Sequence, residues 1–232
     1  SSPFDLSFLI NNADISSNQG WSVKPAFSNS CGEFFETTFD MNQTINTLPA
    51  GTYKLSVQAF QRPGAYDAVY TAFNNGNNNV NAFLFLGSKT KKLKNIMEGA
   101  RNSSIHGETV SVGSPAKYIP NSTASAAPYF TLGNYSNELF NKLEKDNSSL
   151  RVGIRCGSVN TAYWTCFDNF KLYYYGDMTE ETITSIDSPR VDGVDTASGA
   201  EIYTLQGVKI NTSVELLPPG VYIVNKKKVM IR

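Results

Sequence analysis

Apolar and polar positions alternate with a period of two over much of this chain. The pattern is cleanest in Thr52-Tyr53-Lys54-Leu55-Ser56-Val57-Gln58-Ala59-Phe60, where Tyr53, Leu55, Val57 and Ala59 share one face and polar or exposed residues take the other. Successive strand side chains point to opposite faces, so the segment reads as a half-buried strand. It follows a turn of the Pro-x-Gly type, Leu48-Pro49-Ala50-Gly51. Further strands read from residues 4–10, 20–23, 34–44, 80–87, 150–156 and 163–175. One segment departs from the period of two. In residues 136–145, Leu139, Phe140 and Leu143 fall at helical spacing behind Ser136 as an N-cap, which predicts a short helix.

The connecting segments organise the rest. Gln61-Arg62-Pro63-Gly64-Ala65-Tyr66 reads as the start of a loop and leads into an Asn-rich stretch, Asn74 to Asn79. Residues 89–128 are polar and rich in Ser, Gly and Pro; a connection that long is functional or holds short elements of its own. These features predict one sandwich over residues 1–177, an acidic, Thr/Ser-rich linker over 178–190, and a small antiparallel β unit over 191–232. The last unit offers short strands at 201–205, 208–210, 221–224 and 228–231, separated by turn residues.

Composition agrees with an all-β chain. The 232 residues include 14 Phe, 12 Tyr and 2 Trp, while charged residues make up only 17%. Aromatic and β-branched side chains fit a pleated, half-buried surface. Lys plus Arg and Asp plus Glu both number 20, so no basic footprint marks a nucleic-acid partner. No apolar run approaches the ~20 residues of a membrane span. The chain starts Ser1-Ser2-Pro3 without a Met, which reads as a mature form whose export signal has been removed. Cys31, Cys156 and Cys166 lack metal-type spacing and allow one internal disulfide. Cys156 and Cys166 on facing sheets would stand ~10 Å apart, beyond bridging distance, and buried small hydrophobes are the expected state.

Three stretches carry a family resemblance. Gly32-Glu33-Phe34-Phe35, the run from Phe39 through Gln43-Thr44 and Leu48-Pro49-Ala50-Gly51 to Arg62, and Trp164 to Leu172 resemble the galactose-binding-domain-like jelly rolls of secreted and surface proteins from gut Gram-negative anaerobes. Tyr203 to Ile210 and Pro219 to Asn225 resemble the C-terminal sorting or secretion tails of the same bacteria. The resemblance implies a jelly-roll β-sandwich followed by a small, Ig-like antiparallel β unit. It also implies a secreted or outer-surface location, a glycan or polysaccharide partner, and contact with surface or secretion machinery through the tail. Related modules hold a structural calcium with an Asp in the last strand and groups in the first turn; the matching residues are Asn12, Asp14 and Asp168. By parity Asp168 shares a face with Trp164, Phe170, Leu172 and Tyr174, an inward carboxylate that needs a partner or a cation.

Candidate chemistry then narrows. The single histidine, His106, lies in the long polar region with no nucleophile motif around it. Glu33, Glu36, Asp40 and Asp67 are the carboxylates from which a glycosidase pair would have to come. Sugar binding has the sharper signal, because sugar C–H faces stack on aromatics and sugar hydroxyls seek planar polar groups. Glu33, Arg62, Tyr66, Asp67, Tyr70 and Asn74 are the candidates. The competing reading has Tyr66 and Tyr70 packing a loop onto the sheet and Arg62 paired with Glu33. Trp21 reads as core or edge packing. The leading expectation is a non-catalytic carbohydrate-binding module. The alternatives are a structural or protein-interaction sandwich with no sugar site, and a glycosidase.

Overall fold

The computed structural model describes residues 3–187, 201–204, 207–210, 212, 217, 220–224 and 227–231. The chain divides into two compact units, Ser1–Asp177 and Met178–Arg232.

The first unit is built from two facing sheets. Its strands are β1 (Phe4–Asp5), β2 (Ala26–Ser28), β3 (Cys31–Phe35), β4 (Phe39–Leu48), β5 (Gly51–Pro63), β6 (Ala82–Leu86), β7 (Lys89–Lys92), β8 (Lys94–Asn95), β9 (Thr109–Val112), β10 (Lys117–Pro120), β11 (Ser136–Leu143), β12 (Ser148–Cys156) and β13 (Tyr163–Tyr174). Two helices join them, α1 (Tyr66–Asn74) and α2 (Thr123–Thr131). A seven-stranded sheet has the order β11-β5-β13-β3-β2, with β1 beside β13 and β8 beside β5; a four-stranded sheet has the order β4-β12-β6-β7. Every pairing is antiparallel except the short β5/β8 pair. The all-β sandwich expected from alternation and composition is what the chain forms.

Between the sheets lies the larger core. Tyr53, Leu55, Val57 and Ala59 of β5 meet Met41 and Ile45 of β4, Val152 and Ile154 of β12, and Phe167 and Phe170 of β13. Trp21 joins this core, its ring 4.6 Å from that of Phe170. Gly32 has a specific reason to be glycine: a Cβ there would stand 2.5 Å from the Phe167 ring.

The seven-stranded sheet is also covered on its outer face. There Phe60, Trp164, Cys31 and Cys166 pack under Val69 of α1, Ala126, Tyr129 and Phe130 of α2, and Val112 and Ile119 of the β9–β10 hairpin. β5 is therefore buried on both sides. Lys54, on the side expected to be polar or exposed, and Arg62, expected in a loop but held in β5, retain only 8% and 7% of their exposure. The cysteines divide between the two cores, Cys156 in the inner one and Cys31 and Cys166 in the outer one, and all three are free and buried.

Several local expectations are corrected. Residues 136–145 form strand β11 rather than a helix, because pairing with β5 from Ser136↔Gln58 to Leu143↔Gly51 outweighs three apolar residues at helical spacing. Buried Asn137 strengthens that choice, its amide donating to Ala59 O at 2.7 Å and accepting from Lys94 N at 2.9 Å. Residues 4–10 hold only the two-residue β1 before a 3-10 turn, Ser7–Leu9. Residues 20–23 are not a strand, and the 34–44 run breaks at Glu36, whose φ is 49°. The long polar region holds short elements of its own, one of the two readings its length allowed: β7 to β10 and the start of α2, whose Ser122 and Ser125 form a reciprocal cap.

Parity along β13 also fails. A register shift lies between Asp168 and Lys171, and Asn169 has φ 56°. Phe167 pairs with Ala59 and Leu172 with Leu55, so both point into the sandwich across the bulge. Asp168 falls opposite Gln58 and does not share the face of Phe170 and Leu172.

In the second unit, α3 (Glu180–Asp187) lies inside the segment read as a linker. The four strands β14 (Ile202–Thr204), β15 (Lys209–Ile210), β16 (Gly220–Val224) and β17 (Lys227–Ile231) form one antiparallel sheet of order β15-β14-β16-β17. At the first hairpin Thr204 N donates to Val208 O, and Gly207 takes φ 83°.

Candidate functional site

The outer face of the seven-stranded sheet is not fully closed. Three strands place Phe35, Trp164 and Arg62 directly side by side, in the pairings Trp164↔Phe35 and Trp164↔Arg62. One step along the same face, Glu33 stands beside Cys166. The α1–α2 layer covers the Cys166 side and stops short of Phe35, which keeps 53% of its exposure. The result is a cleft of about 450 Å³, floored by this row and walled by Tyr66 from α1 and by Asn121 and Ser122 from the approach to α2.

Within the cleft, the Arg62 guanidinium lies close to two aromatic rings. Its carbon lies 4.6 Å from the Tyr66 ring centre and 5.4 Å from that of Trp164, a cation–π arrangement on both partners. One terminal nitrogen donates to Ala162 O at 3.4 Å, and the buried Nε has no hydrogen-bond partner. Glu33 accepts from Trp164 Nε1 at 2.6 Å through Oε2. That bond orients the carboxylate on a rigid strand. Among the described residues, no ion pair joins Glu33 to Arg62. Tyr66 OH is hydrogen-bonded to Asn121 and Ser122 to Glu108, tying the wall to the hairpin region.

Glu33, Arg62 and Tyr66 thus converge in one cleft. Asp67, Tyr70 and Asn74 do not line it. They belong to α1, which the sequence reading took for loop although Tyr66, Val69, Tyr70 and Phe73 have the i, i+3, i+4, i+7 spacing of a helix. Asp67 is in the exposed first turn and Asn74 at the exposed last position. Tyr70 packs on the β9–β10 turn, where a Cβ on Gly113 would lie 2.0 Å from its ring. Sequence reasoning missed Phe35 and Trp164 as floor residues, and Asn121 and Ser122 as wall. Trp164 and Phe35 had a signal, since both lie in the family-like stretches. Asn121 and Ser122 had none, because only the α2 fold brings them close.

The other carboxylates do not assemble with Glu33. Glu36 accepts from Ala162 N, and Asp40 pairs with Arg151 at 2.8 Å on the four-stranded sheet. Glu33 is the one acidic residue among those lining the cleft, whereas canonical glycoside hydrolysis needs two carboxyls across the bond. His106 Nδ1 accepts from Glu108 N within its own turn.

The three calcium candidates lie around the bulge in the middle of β13, where Phe170 N donates to Ala13 O in the first turn. Asn12 is consumed by its own turn: Nδ2 donates to Ser17 O and Gln19 O, and Oδ1 accepts from Ser16 Oγ and Ser17 N. Asp14 and Asp168 remain as the carboxylate donors. Burial pushes the Asp168 carboxyl up to about 6; the Asn169 N–H opposes this and the Asp14 charge adds to it. Among the described residues, no group of three His, Cys, Asp or Glu side chains is placed to hold a metal ion.

Comparison with known proteins adds little. No protein-family model and no curated protein matches the chain. A solved structure of TmCBM61 in complex with beta-1,4-galactotriose is similar over 75% of this chain and 100% of that one, at 11% identity and a TM-score of 0.36. At that score the likeness supports no inference about fold or ligand. Among the described residues, no helix is long and apolar enough to cross a membrane.

Proposed function

We propose that the chain binds carbohydrate, without catalysis, in the cleft floored by Phe35, Trp164 and Arg62. The observation that carries this reading is the Arg62 guanidinium, 4.6 Å from the Tyr66 ring and 5.4 Å from the Trp164 ring, in one cleft with the oriented Glu33 carboxylate and exposed Phe35. A sugar offers what this surface can use: vicinal hydroxyls for the guanidinium that lines the cleft and the free Glu33 oxygen, and a C–H face for the aromatic ring. The donors sit on strands, so little ordering accompanies binding. Having one carboxylate, not two, favours binding over hydrolysis.

Isothermal titration against a panel of neutral mono- and oligosaccharides tests the reading. Binding weakened at least tenfold by Glu33→Gln, with the far-UV spectrum unchanged, supports it; Gln keeps an acceptor for Trp164 and loses the charge. Folded protein that binds no sugar at millimolar concentration would favour a purely structural or protein-interaction sandwich. Release of a chromophore from aryl glycosides, lost in Glu33→Gln, would instead indicate an enzyme.

Two further readings are proposals of the same kind. Asp14 and Asp168 form the carboxylate part of a calcium site completed by backbone carbonyls, which a calcium-dependent rise in melting temperature, reversed by chelator, would support. The chain is read as extracytoplasmic, with its C-terminal unit acting as a sorting tail. Cell-surface labelling of the full-length protein, lost when that unit is deleted, is the corresponding test.

A further inference from the structure

A second concavity, also of about 450 Å³, adjoins the first and has Glu33 and Phe35 as walls in common with it. The two hollows adjoin at these shared residues, Glu33 and the half-exposed Phe35. The far half is made by other parts of the chain. Val23 and Lys24 come from the segment before β2, and Thr37 and Thr38 from the link that follows the left-handed turn at Glu36. Each half lies within the ~300–1,000 Å³ typical of small-molecule sites.

The two halves have related chemistry. Each offers polar side chains beside an apolar surface: Arg62 and Glu33 beside Tyr66 and Trp164 in one, Lys24, Thr37 and Thr38 beside Val23 and Phe34 in the other. Val23 is 38% exposed and Lys24, Thr37 and Thr38 are exposed, so this half is open to a ligand. A ligand matching both halves repeats polar and apolar surface at intervals and passes over Phe35.

We infer that the two hollows act as one groove, with Phe35 as a ridge between two consecutive subsites for one chain of linked polyhydroxylated rings. Arg62 and Glu33 hold one ring, Phe35 stacks beneath the chain at the crossing, and Lys24 with Thr37 and Thr38 receives the next ring. The inference rests on the reading of the first cleft as a sugar site and adds that the ligand is an oligomer.

Titration calorimetry on the full chain distinguishes the two claims, using one monosaccharide that binds and its linear oligomers of two to four units. Dissociation constants are expected to fall at least tenfold from one unit to two or three, then level off. The double variant Lys24→Ala/Thr38→Val alters exposed positions, and a melting temperature equal to the parent's confirms its fold. It should reduce oligomer affinity to the monosaccharide level and leave monosaccharide affinity unchanged. Oligomers that bind no tighter than the single unit, or a double variant that binds them as the parent does, overturn the two-subsite inference. Glu33→Gln sensitivity of the monosaccharide would in that case still uphold the first cleft. Absence of any sugar binding overturns both.

Discussion

The seven-stranded sheet carries a core on each face, and the two cores close in different ways. On the inner face, strands of both sheets contribute aliphatic and aromatic side chains, with local adjustments that include a glycine at position 32 to admit Phe167 and the bulge in β13. On the outer face the cover is made of short pieces, two nine-residue helices and a hairpin. Its margin leaves Phe35, Trp164 and Arg62 in a cleft. A sheet covered by another sheet leaves no lateral opening of this kind. A sheet covered by separate short elements leaves space where they end, and polar side chains there stay available for a ligand.

The strongest test of this contrast is Phe167→Ala, which empties a fully buried aromatic position at the centre of the inner core. Denaturant unfolding should register a loss of about 3–5 kcal/mol. A loss below about 1 kcal/mol would mean that the inner face is not the stability core. Next in size, Ile119→Ala beneath α2 should cost about 2–4 kcal/mol. Native-state hydrogen exchange in that variant should show α1, α2 and the hairpin opening before β5 and β12. Simultaneous opening of all of them would remove the distinction between a sandwich and its cover.

Asp168 provides a pH-dependent test. Its carboxyl is raised from 3.8 to about 6 in the folded chain, so the native state holds that proton more tightly than the unfolded state does. The group costs nothing below about pH 4, where it is protonated in both states, and its penalty grows as pH rises through 6. Asp168→Asn should therefore stabilise the protein above pH 7, by on the order of 1 kcal/mol once partial exposure is allowed for. The gain should vanish near pH 4. Urea midpoints measured between pH 4 and 8 check both sign and window, and saturating calcium should abolish the gain if the cation binds there. The smallest effect is expected at the exposed Lys142–Glu144 pair, 3.5 Å apart, where Lys142→Ala should shift stability by no more than about 0.5 kcal/mol.

The same contrast explains what was legible in the sequence. The inner face follows strict alternation in β5, and its residues are readable because one face of a strand obeys one rule. The outer face of β5 looks polar in sequence because Lys54, Gln58 and Arg62 occupy it, and no local signal says that Phe140, Tyr173 and Tyr175 will close over Lys54 or that the helices will cover the Phe60–Arg62 end. Those helices were themselves hard to see. α1 follows a Pro-Gly pair and runs into asparagines, and α2 is a nine-residue segment with Pro128 inside it. Glu33, Arg62 and Tyr66 could be named because they lie in or beside the recognised stretches. Asp67, Tyr70 and Asn74 were grouped with them by nearness in sequence, and the turning of α1 carries them away from the cleft.

The bulge between Asp168 and Lys171 has a consequence for how this protein tolerates changes of length. It acts as a phase slip, allowing one strand to present Trp164 to the groove and Leu172 to the sandwich. Deleting the single left-handed residue Asn169 would remove the slip without inverting a face, because Trp164 and Leu172 would then stand an odd number of positions apart and plain alternation would keep them on opposite sides. Deleting a residue from the regular run on either side would instead act as a spatial frameshift and turn one end of β13 inside out. Insertions and deletions among natural variants should therefore avoid the regular runs of β13 on either side of Asn169 and collect in segments such as 74–79, where an added residue inverts nothing.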